Sequence, residues 1–354
     1  MTPLGSMEEM GSIVAIGGGA GPALVASALS DCLERITAVV CTSDRGSSTG
    51  VCRRLFNIPA TGDLRASLAA MAGLSGQGAL ARLWEIRLHC PGSKDLHGMA
   101  LGNLLIAGLA QETGDFGRAI DMARRILGIR GKVLPVSVDL ADIDAHLEDG
   151  TTVHGETEVR RPGKPAIRRV SWDGLTPQPT PGVLEAIRKA DVVIIGPGCL
   201  YTSLLPCLMV QGVSLAICES TSLRIYLCNS TTTPGQTDGF TAARHVHEIL
   251  TTLGGNGLDA AILHDDQVPA EVRSAYEAVG VCPIDVREHD LLSIESMGVK
   301  AFAFPLLEDP RGAPRDLHKV DTIRHNPAKL RVALQRTVAQ LLPQTPRTRG
   351  SLEG

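Results

Sequence analysis

Ten residues constrain this chain more than any others: Ile13-Val14-Ala15-Ile16-Gly17-Gly18-Gly19-Ala20-Gly21-Pro22. Four apolar residues in a row read as a parallel strand buried on both faces. The glycine run lets the chain turn sharply and lets backbone come close to a neighbour or ligand. Pro22 suits the first turn of a helix, where its missing N–H has no intrahelical partner to lose, and the small residues after it predict a helix to about Leu33. Amides at the start of such a helix face whatever lies above the strand, and an anion is the natural guest. The run departs from the dinucleotide fingerprint G-x-G-x-x-G, whose last glycine would fall at Pro22. Two readings therefore stand: a phosphate-holding turn, and a tight strand-to-helix turn with no ligand.

The same grammar recurs along the chain. Ile36–Cys41 is a second short buried strand, ending in Thr42-Ser43-Asp44-Arg45-Gly46-Ser47-Ser48-Thr49-Gly50. Asp44 stands where a βαβ nucleotide unit places an acid against a ribose or sugar hydroxyl. The hydroxyls and glycines behind it, Ser47 and Ser48 included, suit a second anion-holding loop or a polar turn. Asp63 and Arg65 flank the glycine turn that opens the next helix, positioned to enter a cleft or to form a cap and ion pair. Helices are expected over Ala79–Leu88, Leu104–Leu109 (just after Asn103) and Asp115–Leu127. Lys132–Val138, a hairpin over Asp144–Val159 turning at Glu148-Asp149-Gly150, and Arg168–Trp172 read as a β-rich insertion over about 132–175. The alternation resumes with the strand Asp191–Ile195, the turn Gly196-Pro197-Gly198 and a helix opening at Leu200-Tyr201-Thr202-Ser203. Next come the strand Arg224–Asn229, the loop Ser230–Gly239, a helix over Thr241–Leu250, strands Ala260–His264 and Lys300–Pro305, and a last helix Pro327–Leu342. Strands alternating with helices predict an α/β fold, a Rossmann-like doubly wound, mostly parallel sheet with a β-hairpin insertion in the middle. The glycine, hydroxyl and amide loops would gather at its carboxyl edge, where ligands bind.

Composition narrows the function. At 354 residues the chain can form one large domain, read here as residues 13–342, with tails at 1–12 and 343–354 expected to be disordered. Aromatic residues are 3% and the formal net charge is −4, which gives no stacking platform and no field for nucleic acid. Nine cysteines without a C-x-x-C pair argue for reduced thiols and a cytoplasmic protein. No stretch reaches the roughly 18 apolar residues of a membrane span. His245 and His247, two apart on a helix, diverge and make poor metal ligands. Homo-oligomerisation stays open.

At the loops the chain resembles a known family. IVAIGGGAG, TSDRGSSTG, TGDLR, LGNLLIAGL, DVVIIGPGCLYTSLLP, YLCNSTTTPGQTDGFT and IRHNPAKL look like successive signatures of the gluconeogenesis-factor (YvcK-type) family. That family shares a superfamily with the phospholactate transferase (CofD) of deazaflavin-coenzyme synthesis. The resemblance implies a Rossmann-like fold holding a nucleotide ligand, UDP-N-acetylglucosamine or NAD, in a regulatory role in carbon and cell-envelope metabolism. The alternative it carries is a CofD-like transferase moving a phospholactyl-type group from a nucleotide carrier to an acceptor such as a deazaflavin. Mg²⁺ would then join through Asp44 or Asp63. Carried onto this chain, the ligand contacts are Gly17, Gly18, Gly19, Gly21, Asp44, Arg45, Ser47, Ser48, Asp63, Arg65, Asn103, Gly196, Gly198, Tyr201, Thr202, Asn229, Thr231, Thr237 and Arg324, with no catalytic residue assigned. The chain departs from the family where Arg45 replaces an acid or amide, Ala66 an asparagine, Met99 a histidine and Cys199 a serine. Arg45 adds positive charge, which predicts an extra anionic group on the ligand.

Overall fold

The computed structural model describes residues 10–174, 176–309 and 323–341, apart from the side chain of Ser47. The expected tails at 1–9 and 343–354 lie outside them. Residues 10–12, read as tail, are tied in: Met10 is buried, and the Ser12 hydroxyl donates to Asp191 Oδ2 at 2.8 Å.

The first half runs β1 (Ile13–Gly17), α1 (Ala20–Ala28), β2 (Ile36–Val40), α2 (Ser47–Phe56), α3 (Gly62–Leu74), α4 (Gly78–Glu85), α5 (Leu101–Thr113), α6 (Phe116–Ile126) and β3 (Lys132–Pro135). The middle holds β4 (Ile143–Leu147), β5 (Thr152–His154), α7 (Gly155–Val159), β6 (Ile167–Trp172) and α8 (Val183–Lys189). The second half is β7 (Val192–Ile195), α9 (Leu205–Met209), α10 (Val213–Glu219), β8 (Leu223–Leu227), α11 (Ala242–Thr252), β9 (Ala260–His264), α12 (Ala270–Glu277), α13 (Glu288–Ser296), β10 (Lys300–Phe304) and α14 (Pro327–Leu341).

Seven strands form one parallel sheet in the order β10-β9-β8-β7-β1-β2-β3. Side chains alternate between the faces as the period of two demands. Ile13 and Ala15 enter a core with residues of α1, α3, α5, α6 and α14, while Val14 and Ile16 enter one with residues of α8 to α11 and α13. Covered on both faces, β1 has no use for polar residues, which is why its sequence is continuously apolar.

Several expectations are corrected. α1 ends at Ala28, and a 3-10 turn from Ser30 to Arg35 follows, broken by non-helical backbone at Cys32. Ser47 to Gly50 are the first turn of α2 rather than a loop, and that helix closes on Asn57 in the left-handed region. β3 belongs to the main sheet, so the antiparallel layer starts at Ile143 rather than near 132. Within that layer β4 pairs with both β5 and β6, and the chain after His154 turns helical.

Candidate ligand-binding crevice

Chain order in the sheet reverses at one place. From β1 the chain moves outward to β2 and β3, then returns to lay β7 on the other side of β1. At such a switch point the loops after the two strands diverge and leave a crevice at the carboxyl edge. Its walls are the turn Gly17–Gly19 and the turn Gly196–Gly198.

Glycine is needed here largely for packing. A Cβ on Gly21 would stand 2.3 Å from the Pro197 carbonyl oxygen, and one on Gly19 would stand 2.8 Å from that of Asp63. α1 thus sits directly on the β7 turn and beside the start of α3. Gly196 has φ of +87°, a conformation that disfavours any side chain. Asn229, at the end of β8, fixes this turn from the side: it accepts from Gly198 N at 2.9 Å and donates to Gly198 O at 2.8 Å. That two-sided amide clamp leaves the turn little freedom.

Two carboxylates flank the start of α3. Asp44 Oδ1 accepts from Gly46 N at 2.8 Å, and its other oxygen lies 3.4 Å from the place a Cβ on Gly62 would take. Asp63 Oδ2 and Ser203 Oγ crowd Gly18, at 2.8 and 3.0 Å from its would-be Cβ. Among the described residues no three metal-binding side chains cluster. Mg²⁺ commonly takes one or two carboxylates and completes its shell with phosphate oxygens and water. Asp44 and Asp63 fit that role only with a phosphate ligand present.

The antiparallel layer closes over the loop after β2. Asp142 accepts from both Arg45 and Arg53, Arg53 at 3.1 Å. Buried Glu156 accepts from Arg45 N at 3.1 Å and from Arg160 Nη1 at 3.3 Å. The Arg45 guanidinium is turned to Asp142. Arg160 lies nearer the β7 turn. It reaches Cys199 Sγ at 3.7 Å. Burial opposes its charge, but Cys199, Glu156 and Asp44 outweigh that and raise its pKa.

Beyond α3 lies a second group of polar residues. Ser48, in the first turn of α2, accepts from Asn103 Nδ2 at 3.0 Å and from Arg87 Nη1 at 3.2 Å. Arg65 in α3 is buried and donates to Glu85.

The chain is similar to known proteins over most of its length. A family model described as 2-phospho-L-lactate transferase CofD matches residues 13–307. A gluconeogenesis factor of Halalkalibacterium halodurans is 37% identical over 342 residues, covering 97% of this chain and 99% of that protein. The gluconeogenesis factor of Bacillus subtilis is 33% identical, covering 92% and 97%. A crystal structure of a UPF0052 family member from Bacillus halodurans superposes with a TM-score of 0.80 at 35% identity, covering 91% and 98%. The chain belongs to the CofD family. Its curated relatives are gluconeogenesis factors, and the α/β architecture is that of the UPF0052 structures.

Not every residue in the family-like motifs reaches the crevice. Tyr201 is fully buried in the core, its ring against Phe240, so the Leu200–Ser203 run presents Ser203 to the crevice in place of the expected tyrosine. Thr202 Oγ1 turns to Gln236 at 3.4 Å, Thr237 Oγ1 accepts from Thr233 N at 2.8 Å, and Thr231 bridges Pro283. All three shape the Ser230–Gly239 loop. Arg324 is exposed beside Glu308 past the end of β10, at the sheet edge, with β9 and β8 between it and the switch point. Arg87, Arg160 and Ser203 are functional candidates that the sequence did not single out. Only Ser203 had a signal, its place in the same motif.

A separate cleft of about 260 Å³ opens at the end of β9, lined by Asp265, Asp266, Gln267, Arg273, Asp285, Val286 and Arg287. It is a poor anion site. Arg273 holds Asp285 through two hydrogen bonds of 3.0 and 2.6 Å, and Asp266 Oδ2 accepts from Leu306 N and Leu307 N.

Proposed function

We propose that this member of the CofD family binds a nucleoside diphosphate ligand, of the UDP-N-acetylglucosamine or NAD kind, across the switch point. Its diphosphate lies over Gly17–Gly19 and Gly196–Gly198. The observation that carries this reading is the pair of glycine turns meeting where strand order reverses, one closed against α3 and the other clamped by Asn229. Cβ atoms at Gly18, Gly19 and Gly196 would each come within 3.0 Å of a neighbour, and the start of α1 has no side-chain cap. Backbone amides at a helix start favour phosphate. Asp44 takes a sugar hydroxyl, and Arg160 supplies charge to the phosphates from the antiparallel layer. The role proposed is regulatory: a cytoplasmic protein that reports a nucleotide sugar to carbon and cell-envelope metabolism, the carbon part supported by the name of its curated relatives, gluconeogenesis factor.

The second reading, a transferase moving a phosphoryl-linked group, is favoured by one feature, the paired carboxylates Asp44 and Asp63 at the start of α3. They would hold Mg²⁺ on the phosphates. The metal would neutralise charge at the phosphorus and the residues would fix its position. Calorimetric titration with UDP-N-acetylglucosamine, NAD and GDP, each with and without Mg²⁺, tests both. Binding of the uridine ligand without turnover supports the sensor, whereas silence with every nucleotide at millimolar concentration removes both readings.

A further inference from the structure

We propose that Arg65, Arg87, Ser48 and Asn103 form a second anion subsite, separate from the glycine crevice, that takes a carboxylate or phosphate group. Three helices of ten or more residues start around it: α2 with Ser48, α3 with Arg65 and α5 with Asn103. Helix starts present amides that no intrahelical carbonyl satisfies, and the dipole of each favours negative charge. Ser48 Oγ links two of them, accepting from Asn103 Nδ2 at 3.0 Å while Arg87 Nη1 reaches the same oxygen at 3.2 Å. Arg87 is held there by its backbone, which pairs in an antiparallel bridge with Ala100, the residue preceding α5.

Two polar atoms in this cluster are buried with no partner: Asn103 Oδ1, on a residue 1% exposed, and Arg65 Nε, on one 7% exposed. A buried polar atom left unsatisfied is costly. The guanidinium donor matches an anionic oxygen, and the amide oxygen matches a hydroxyl or a protonated oxygen on the same group. Arg65 also lies close enough to oppose the charge of Arg87. The pKa of Arg87 is lowered, first by burial and next by Arg65. Glu85 partly offsets this by accepting from Arg65, but its side chain is 44% exposed and can be displaced by an incoming anion. A bidentate oxyanion would satisfy both guanidiniums at once.

The subsite does not depend on the nucleotide reading. Its test uses inorganic phosphate and oxalate as probes, titrated calorimetrically in saturating UDP-N-acetylglucosamine and in its absence. The proteins are the natural chain, Arg87→Gln and Arg273→Gln. Arg87 as a residue is exposed although its guanidinium rests on Ser48 and the Gly98 carbonyl, and a melting curve checks that its replacement keeps the fold. At least one probe should bind, and Arg87→Gln should weaken it by about tenfold, the worth of a charged hydrogen bond. Arg273→Gln should leave it unchanged. A preference for phosphate or for oxalate identifies the group. If neither probe binds, or Arg87→Gln binds both as the natural chain does, the proposal falls. Should the nucleotide sugar fail to bind while Arg87-dependent binding persists, the nucleotide reading falls and the subsite stands.

Discussion

The carboxyl edge of the sheet carries two hollows, and they are built on opposite rules. At the end of β9 the charged groups already answer one another: Arg273 holds Asp285, Asp266 holds two backbone amides, and Lys329 approaches Asp266 at 3.5 Å. At the switch point the walls are glycine turns, helix starts and cations brought in from other layers, with Arg160 reaching over from the antiparallel sheet. Chemistry favours the second. A hollow whose polar groups are mutually satisfied gains little from a ligand. One whose backbone is fixed and open to phosphate gains a great deal.

Substitutions that fill the switch point should cost most. Gly21→Val would drive a branched side chain into the Pro197 carbonyl, 2.3 Å from the Cβ position, and we expect a loss of at least about 3 kcal/mol, or no folding at all. A thermal melt within a few degrees of the natural chain would show that α1 does not rest on the β7 turn. The same geometry governs Gly19→Val. Its clash with Asp63 backbone makes it a packing variant as much as a ligand-blocking one.

Acid comes next, and it acts on the other side of the comparison. His325, beside the end of β9, and His245 on α11 are buried, and burial pulls both pKa values down to about 4. His264 is lowered for the same reason. The unfolded chain binds these protons near the ordinary value of about 6.5 and the folded chain does not. Stability is therefore complete above pH 6.5 and falls between 6.5 and 4, by up to about 3 kcal/mol for each of His245 and His325. Urea titrations of the natural chain and His325→Gln across that range should differ in slope; parallel pH profiles would refute the assignment.

Asn229→Ala should cost about 1–3 kcal/mol by leaving both polar groups of the Gly198 peptide without partners. A denaturant midpoint unchanged from the natural chain would mean the clamp is replaced by water. Smallest is Arg273→Ala, whose partners are part exposed, with an expected loss below about 1 kcal/mol in the same measurement. A larger loss would mean the β9 hollow is the more rigid of the two.

The contrast also explains what the sequence could and could not tell. β1, β2, β7 and β9 are legible because strands buried on both faces are runs of aliphatic residues ending in glycine or polar turns. β9 runs over Ala260–His264 as expected. α2 is hidden because Ser47-Ser48-Thr49-Gly50 has the composition of a loop, and only the Gly46 turn and the packing of Cys52 make it helical. Of the glycines read as ligand contacts, Gly19 and Gly21 also serve helix packing. Arg45 drew notice because it stands where the resembled family has an acid or amide, but Asp142, nearly a hundred residues on, decides where it points. Arg87 and Arg160 carry no local pattern, since their positions depend on a bridge to Ala100 and on the antiparallel layer. Tyr201 fails for the opposite reason, a motif residue whose ring the core takes.

The central claim is that the ligand sits at the switch point and not in the hollow at the end of β9. UDP-N-acetylglucosamine titrated into the natural chain, Asn229→Ala and Arg273→Ala decides it. The account predicts binding that weakens by about tenfold or more in Asn229→Ala, as the loss of an ordered phosphate turn implies, and is unchanged in Arg273→Ala. Binding lost in Arg273→Ala and kept in Asn229→Ala would contradict it.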